Sequence, residues 1–213
     1  MKKSRNRTSQ FRKTWPEISA DQPCGPTVMN ATADETAIET AAAALRAGGV
    51  VAHATEGVWG FACDPFDEVA VLKILAIKDR PVEKGLLVIG DVGEFDQELA
   101  AHSVELREQA SASWPGPSTW VLPNLRFPNW VTGDQSGIAC RVPGHRQARM
   151  LCRAFGGPLV STSANRAGEP SLVDETAVRA QFTEEVANIL PGQVCSPGKA
   201  STIYSLLGEP IRT

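Results

Sequence analysis

Short apolar runs alternate with longer helix-favouring stretches along most of this chain, and this alternation limits the fold more than any other feature. The apolar runs predict strands at residues 50–54, 86–89, 119–122, 138–142, 159–161 and 202–206. The longer stretches predict helices at residues 34–47, 67–78, 95–101, 103–113, 146–155 and 174–182. Strands and helices that alternate in this way favour an α/β fold, with a twisted mixed sheet flanked by helices.

The first 30 residues differ in composition from the rest of the chain. They contain three prolines and show no hydrophobic periodicity, and residues 1–13 carry six basic side chains with no acidic one. We therefore predict a disordered basic N-terminal tail at residues 1–30 and one globular domain at residues 31–213. The 200 residues after residue 13 carry 15 basic and 24 acidic side chains, so the body is acidic. A basic arm binds nucleic acid, stays solvated as a leader or serves as an organellar transit peptide, and these interpretations remain open here.

The cysteine pattern and the lack of long apolar runs indicate the cellular location of the protein. The five cysteines are odd in number, lie far apart and form no C-x-x-C pair. This pattern predicts reduced thiols and a cytoplasmic protein, and it argues against a zinc site. The histidines have no metal-ligand spacing either, so we expect no metal held by protein ligands. No apolar run approaches the roughly 20 residues of a membrane-spanning helix, so we expect no membrane partner.

Three cations surround a proline where the second predicted helix ends: Lys78, Arg80 and Lys84, with Pro81 between them. Because the residue before a proline is pushed out of the helical region, the helix should stop by about Asp79 and leave Arg80 extended. Side chains two apart in an extended segment share a face, so the cations would converge into a pocket suited to a polyphosphate. A solvated, charge-rich turn fits the same spacing, and the spacing alone does not decide between them.

Small polar side chains follow several of the predicted strands. Ser163 and Asn165 follow the fifth strand, and Thr55 follows the first, where two glycines favour a tight turn. Thr119 begins another strand after a rigid Trp-Pro-Gly-Pro turn. Polar groups at strand ends commonly face the ligand crevice of an α/β sheet, but ordinary turns favour the same residue types. Each motif taken alone therefore has two interpretations.

Six motifs follow one another between residues 34 and 213. They are Thr55-Glu56 with Gly60, Lys78-x-Arg80-Pro81 with Lys84-Gly85, Trp114-Pro115-Gly116-Pro117-x-Thr119, Ala139-x-Arg141-Val142, Ser161-Thr162-Ser163-Ala164-Asn165 with Gly168, and Ser201-Thr202-Ile203. In this order they resemble the YrdC/TsaC family of threonylcarbamoyl-AMP synthases, in its short single-domain bacterial form. The resemblance implies a YrdC-like fold with a cationic concave cavity.

The same resemblance implies an enzyme of tRNA processing, a nucleotidyltransferase of the L-threonylcarbamoyladenylate synthase type. Such an enzyme would condense L-threonine, bicarbonate or carbon dioxide, and ATP into threonylcarbamoyl-adenylate and pyrophosphate. A downstream tRNA threonylcarbamoyl transferase machinery would then carry the threonylcarbamoyl group to an adenosine of tRNA. Mg²⁺ would be bound through the ATP phosphates and not by a dedicated protein cage.

The resemblance also assigns roles to single residues of this chain. The catalytic residues would be Lys78, Arg80, Ser163 and Asn165. The ATP-binding residues would be Arg80, Lys84, Thr119, Arg141 and Ser201. The threonine-binding residues would be Thr55, Ala139 and Ser163.

The chain departs from the family pattern at a few positions. Ala54 stands where the family normally has proline, and Trp59 stands where it often has tyrosine. His53, Cys140 and Ser118 replace more typical apolar residues. The changes beside Thr55 would alter the shape of the threonine end of the site.

A second function remains open on the sequence alone. The chain would then be an RNA-binding or ribosome-maturation factor whose cationic cavity grips the phosphodiester backbone, helped by the basic tail. Weak RNA binding of this kind would depend steeply on salt concentration. The acidic body counts against this alternative.

Overall fold

The computed structural model describes residues 31–196, 198 and 200–212 of the chain. Within these residues, nine strands form one mixed sheet, and seven α-helices pack on its two faces. The predicted basic tail at residues 1–30 lies outside the described residues, so its boundary with the domain stays a prediction.

The helices and strands have the following bounds. The helices are α1 (Ala31–Arg46), α2 (Glu68–Lys78), α3 (Asp96–Ala100), α4 (Val104–Ser113), α5 (Asn129–Thr132), α6 (Arg146–Phe155) and α7 (Glu175–Phe182), and a 3-10 turn spans Val82–Lys84. The strands are β1 (Val51–Ala54), β2 (Trp59–Cys63), β3 (Leu87–Ile89), β4 (Ser118–Pro123), β5 (Gly137–Arg141), β6 (Leu159–Ser163), β7 (Asn188–Ile189), β8 (Thr202–Tyr204) and β9 (Pro210–Arg212). In this part of the chain, no helix combines the length and the apolar character needed to cross a membrane.

The strands lie in the order β7-β1-β2-β6-β3-β5-β4-β8-β9. The pairs β1–β7, β3–β5 and β4–β8 are parallel and the other neighbours are antiparallel, which confirms the predicted mixed sheet. Strand β6 inserts between β2 and β3, although it comes much later in the chain. This insertion brings the end of β6 beside the end of α2, where the Ala167 amide donates to the Lys78 carbonyl at 2.9 Å.

Each face of the sheet packs against its own set of helices. On one face, Val51 and Leu159 are buried against apolar residues of α1 and α6, such as Leu45 and Leu151. On the other face, the larger core joins residues of β1–β6 to residues of α2, α3, α4, α5 and α7. The two helices on the first face cover only part of it, and the uncovered part forms a cavity.

The predicted helices and strands are all present, with bounds within three residues of those expected. The main error concerns Gly60, which was expected in the turn after β1 but lies inside strand β2. The turn is tighter than expected and closes with the amide of Thr55 donating to the carbonyl of Val58 at 3.0 Å. Gly60 is needed in the strand because a Cβ there would approach the Thr162 carbonyl of β6 at 3.0 Å.

The cysteines differ in part from the prediction of reduced thiols. Cys63, Cys140 and Cys152 are buried free thiols, and burial raises the pKa of each. Cys195 is bonded in a disulfide, so the prediction is wrong at this residue. The spacing of cysteines along the sequence does not show which of them are close in the fold, so this bond could not be predicted.

A buried ion pair connects α3 to the loop after β4. Glu98 is fully buried, and its Oε1 atom lies 2.8 Å from Nε of Arg126. The same guanidinium lies 3.0 Å from the carboxylate of Glu94 and stacks over the ring of Phe127. The Oε2 atom of Glu98 has no hydrogen-bond partner among the described residues. The buried charge of Glu98 therefore depends on Arg126.

We expect Arg126→Ala to lower the free energy of unfolding at pH 7 by about 3 kcal/mol, because it leaves a buried carboxylate without its cation. Urea unfolding measures this change. The matched control is Arg153→Ala, which removes an ion pair to Asp91. The Arg153 side chain is 71% exposed. That control should change the free energy by less than about 1 kcal/mol. Equal small losses for both variants would contradict the dependence of Glu98 on Arg126.

Candidate active site

A cavity of about 460 Å³ opens on the sheet face that α1 and α6 leave uncovered. Its floor comes from five neighbouring strands and contains Gly60, Ser161, Leu87, Ala139 and Val121. All of the predicted site residues except Thr119 lie in its lining. A cavity of this size accommodates a small ligand.

Lys78, the last residue of α2, holds the end of strand β6. Its Nζ atom donates to the Ser163 carbonyl at 2.5 Å, to the Asn165 carbonyl at 3.1 Å and to Asn165 Oδ1 at 2.9 Å. Ser163 Oγ donates to the same Oδ1 atom at 2.6 Å. An ammonium group has three donors, and here each meets a protein oxygen. Burial, and next the charge of Arg80, lowers the pKa of Lys78 to about 8, so the group remains largely charged at pH 7.

Arg80 reaches the cavity through a change of chain direction after α2. Asp79 caps the helix in the left-handed region with φ 49°, and Pro81 is extended. The half-buried Arg80 side chain donates through Nη2 to the Gly85 carbonyl at 2.8 Å and to the Lys84 carbonyl at 3.3 Å. The extended backbone does not continue to Lys84, because the 3-10 turn begins directly after Pro81. The three cations nevertheless line one cavity.

Arg141 on β5 lines the cavity with a nearly buried guanidinium. Its Nε atom donates to the Gly116 carbonyl at 2.9 Å, and its Nη2 atom lies 2.5 Å from Oε1 of Glu56. The sequence analysis gave a role to Thr55 in the Thr-Glu pair and none to Glu56. The ion pair joins residues far apart in the chain, so local patterns could not reveal it.

Thr119 lies behind the cavity wall and not in the lining. It is fully buried, and its Oγ1 atom lies 2.9 Å from Oγ of Ser201, which does line the cavity. The expected direct contact of Thr119 with ATP therefore has no support in this geometry. Thr119 instead orients the Ser201 hydroxyl.

Thr55 and Ala139 offer the cavity a hydroxyl and a small apolar surface. Thr55 Oγ1 donates to the Val58 carbonyl at 2.7 Å, which closes the turn between β1 and β2. The same oxygen can still accept a hydrogen bond from a ligand. Ala139 lies on the floor, where its single methyl group leaves room above the sheet.

Arg166 is a cavity residue that the sequence analysis missed. Its Nη1 atom donates to the Ile77 carbonyl at 3.0 Å, and its Nη2 atom lies 2.6 Å from Glu185 Oε1. These contacts tie the segment after β6 to α2 and to the chain after α7. Its place directly after Asn165 in the sequence is the signal that could have identified it.

The described lining has more basic than acidic residues, and two of the basic ones, Arg141 and Arg166, are ion-paired with Glu56 and Glu185. Its basic residues are Lys78, Arg80, Lys84, Arg141 and Arg166. Asp79 is the one acidic residue among the described lining residues. The part of the chain that the structure describes holds no group of three or more His, Cys, Asp or Glu side chains arranged for a metal ion. This charge balance suits an anionic ligand with several charges, such as a polyphosphate.

Comparison with known proteins places the chain in a family. The family model Sua5/YciO/YrdC, described as "Telomere recombination", matches residues 43–213. The chain belongs to this family. It is 44% identical over 178 residues to a threonylcarbamoyl-AMP synthase of Stutzerimonas stutzeri, which covers 82% of this chain and 96% of that protein. It is also 44% identical over 187 residues to a synthase of Chromohalobacter salexigens, covering 86% of this chain and all of that protein.

Solved structures of the Sua5/YciO/YrdC family share the fold described above. Sua5 of P. abyssi, complexed with L-threonine, is 33% identical and superposes with a TM-score of 0.75 over 81% of this chain. This chain spans only about half of that protein, since it covers 52% of it. E. coli YciO superposes with a TM-score of 0.70 over 84% of this chain and 91% of that one, at 22% identity. The predicted YrdC-like fold is confirmed.

His53 on β1, one of the departures from the family pattern, is fully buried near the cavity floor. Its Nδ1 atom lies 3.1 Å from the Ala54 carbonyl, so this nitrogen carries the proton and Nε2 is left as an acceptor. Nε2 has no hydrogen-bond partner among the described residues, and a Cβ on Gly60 would lie 3.6 Å from it. Burial, and next the charge of His145, lowers the pKa of His53 to about 4.

This histidine should make the protein sensitive to acid. The unfolded chain gains a proton on it near pH 6.5 and the folded chain only near pH 4, so its contribution to stability is complete above pH 6.5. That contribution, about 3 kcal/mol, should be lost as the pH falls from 6.5 to 4. Urea unfolding gives the free energy of unfolding at pH 7 and at pH 4.5. The difference between these two values should be clearly smaller for His53→Leu than for the wild type. Equal differences would show that His53 does not cause the acid sensitivity.

Proposed function

We propose that this chain is a threonylcarbamoyl-AMP synthase, which condenses L-threonine, bicarbonate or carbon dioxide, and ATP into threonylcarbamoyl-adenylate and pyrophosphate. The observation that carries the proposal is a single cavity in which basic side chains adjoin the small polar groups of β1 and β6. The family membership and the curated relatives that carry this name support it. The product would serve a downstream tRNA threonylcarbamoyl transferase machinery, and the enzyme would then work in the cytoplasm.

The basic side chains would bind ATP. Arg80 and Lys84 hold the phosphates, with Arg80 able to contact two oxygens at once and Lys84 acting as a mobile charge. Arg80 is preorganised for this task by its bonds to the carbonyls of Lys84 and Gly85. Arg141 and Ser201 complete the nucleotide end of the cavity.

The small polar groups would bind the amino acid. Thr55, Ser163 and Ala139 would surround threonine. The complex of P. abyssi Sua5 with L-threonine supports this amino acid as a substrate. Lys78 acts mainly by holding Ser163 and Asn165 in place, because its three donors are already engaged by protein oxygens.

The reaction needs no nucleophilic side chain. The amino group of threonine adds carbon dioxide and loses a proton to become a carbamate. A carbamate oxygen then forms a bond to the α-phosphorus of ATP while the bond from that phosphorus to the β-phosphate oxygen breaks, and pyrophosphate leaves with the electron pair. The protein contributes by positioning the two substrates and by neutralising the charge that moves towards pyrophosphate.

Mg²⁺, when bound through the ATP phosphates, would neutralise part of their charge. Asp79 is the one carboxylate in the described lining, so the ATP phosphates would supply most of the ligands of the ion. The residues of the chain therefore act on the phosphates through their own positive charges.

The RNA-binding alternative is less well supported. The cavity is the size of a small ligand, and the relatives that the chain matches over most of its length are named as synthases. The body of the chain is also acidic, since residues 14–213 carry 24 acidic against 15 basic side chains, and this counts against binding of a long polyanion. The synthase is therefore the function that we propose.

We expect pyrophosphate release to require ATP, L-threonine and bicarbonate together, because the attacking carbamate forms from the last two. A coupled pyrophosphate assay that omits each substrate in turn measures this requirement. Release that is unchanged without threonine would overturn the proposed function. Release that occurs only with RNA present would favour the alternative.

Arg80→Ala should lower the rate of adenylate formation by about 100-fold or more, because it removes a positioned charged donor at the developing pyrophosphate. Arg80→Lys should recover only part of the rate, since lysine keeps the charge and loses the two-pronged geometry. The rate is measured by chromatography of threonylcarbamoyl-adenylate, with Arg153→Ala as the exposed control. Normal turnover by Arg80→Ala, or loss of activity only through unfolding, would contradict the role of Arg80.

A further inference from the structure

Glu56 occupies the turn between β1 and β2, directly after Thr55, and its carboxylate has two partners. Its Oε1 atom accepts a hydrogen bond from the Gly144 amide at 2.6 Å and lies 2.5 Å from Nη2 of Arg141. The Glu56 side chain is 15% exposed, and that of Arg141 is 9% exposed. A carboxylate in this setting interacts strongly with its cation, because little water screens the pair.

The two contacts of Arg141 fix the direction of its guanidinium plane. One edge is bound by Glu56 and the Nε atom donates to the Gly116 carbonyl, while the side chain lines the cavity. Arginine has five donors, so these contacts leave others for a ligand. Without Glu56, the same guanidinium would keep one protein partner and could rotate.

The pair is better explained by orientation than by stability. The second oxygen of the Glu56 carboxylate, Oε2, is buried and has no hydrogen-bond partner among the described residues. A buried carboxylate with an unsatisfied oxygen adds little to stability, and replacing such a pair is often neutral. What the pair does provide is a fixed geometry for Arg141.

The backbone of the same turn holds another wall of the cavity. The Glu56 carbonyl accepts hydrogen bonds from the amides of Cys195 at 2.8 Å and Ser196 at 2.7 Å, and the Gly57 carbonyl accepts one from Gly198 at 2.9 Å. This segment leads into Ser201, which lines the cavity. One turn therefore sets the position of two parts of the site.

From these contacts we infer that Glu56 is a positioning residue of the active site, which acts on the substrates through Arg141. The inference deepens the proposed function and rests on it. Glu56 is absent from the described lining of the cavity, so its effect on the reaction passes through the guanidinium that it orients.

The test is a double-mutant cycle with Glu56→Gln, Arg141→Ala and the double variant. Glutamine keeps the shape of the side chain and an acceptor for the Gly144 amide but removes the charge that binds Arg141. We expect Glu56→Gln to lower kcat/KM for threonine between about 10- and 100-fold, because a small misplacement of a binding group has effects of this size. On the Arg141→Ala background the same change should have almost no further effect.

Two controls separate positioning from folding. Glu39→Gln removes a carboxylate that is 63% exposed and paired with Arg46 on α1, and it should leave kcat/KM unchanged. The melting temperature of the Glu56→Gln variant should lie within a few degrees of that of the wild type. A crystal structure of Glu56→Gln should show the Arg141 guanidinium rotated away from its wild-type contact with residue 56, a readout that does not depend on the reaction.

The outcomes distinguish this inference from the proposed function. A wild-type protein without synthase activity would overturn the function, and the position of Arg141 in the Glu56→Gln structure would then decide the positioning role alone. An active wild type with an equally active Glu56→Gln variant would overturn the inference. So would a further loss on the Arg141→Ala background as large as that on the wild-type background, or an unmoved Arg141.

Discussion

The active site depends first on the ammonium group of Lys78, which binds Ser163 and Asn165, residues that lie 85 and 87 positions further along the chain. Its helix ends at this residue, so the side chain projects from the end of α2 towards the end of β6. Charge-assisted hydrogen bonds of this kind are stronger than neutral ones, and they are strengthened further where water is scarce. The cost of burying the charge appears in the lowered pKa of Lys78. Together with the bond from Asn165 Nδ2 to the Glu169 carbonyl at 2.7 Å, the ammonium group holds Ser163 and Asn165 in place.

The sheet order explains why these groups meet at all. Because β6 lies between β2 and β3, the polar residues at its end come between the turn that carries Thr55 and the segment that carries Arg80. Strand β5 pairs with β3 on the other side and adds Arg141. Neighbouring strands thus supply the small polar groups and the cations from different parts of the sequence. The helices α1 and α6 leave this part of the face open, which turns a flat surface into a cavity.

Local patterns predicted most of the elements but few of the contacts. The helices that form amphipathic stretches and the strands that form apolar runs were found, because hydrophobic periodicity reports burial directly. The short elements α5, β7 and β9 were missed, since two to four residues are too few to show a period. Strand β2 was missed as well, because its first residues were assigned to the preceding turn. The turn before β2 was placed wrongly because glycine marks both turns and close strand approach, and Gly60 serves the second purpose.

In the candidate site, too, local patterns indicated single residues but not the contacts between them. The residue types at the ends of strands indicated Ser163, Asn165 and Thr55, and the proline after the second helix indicated Arg80. Spacing could not show that Thr119 lies behind Ser201, because burial of a single threonine depends on the pairing of β4 with β8. Nor could it show the pairing of Glu56 with Arg141, which depends on the fold of two loops. Contacts across long stretches of chain are the part that a single sequence does not reveal.

The distribution of charge gives the cavity its selectivity for small anions. Residues 14–213 carry an excess of acidic side chains, yet the described lining is dominated by basic ones. A concave cationic surface with low-dielectric walls concentrates its field inward, where a compact polyphosphate can enter. A long nucleic acid would extend beyond the cavity over a body that carries an excess of acidic side chains. The same arrangement that attracts ATP therefore disfavours an extended polyanion, so the charge pattern and the cavity size point to the same class of ligand.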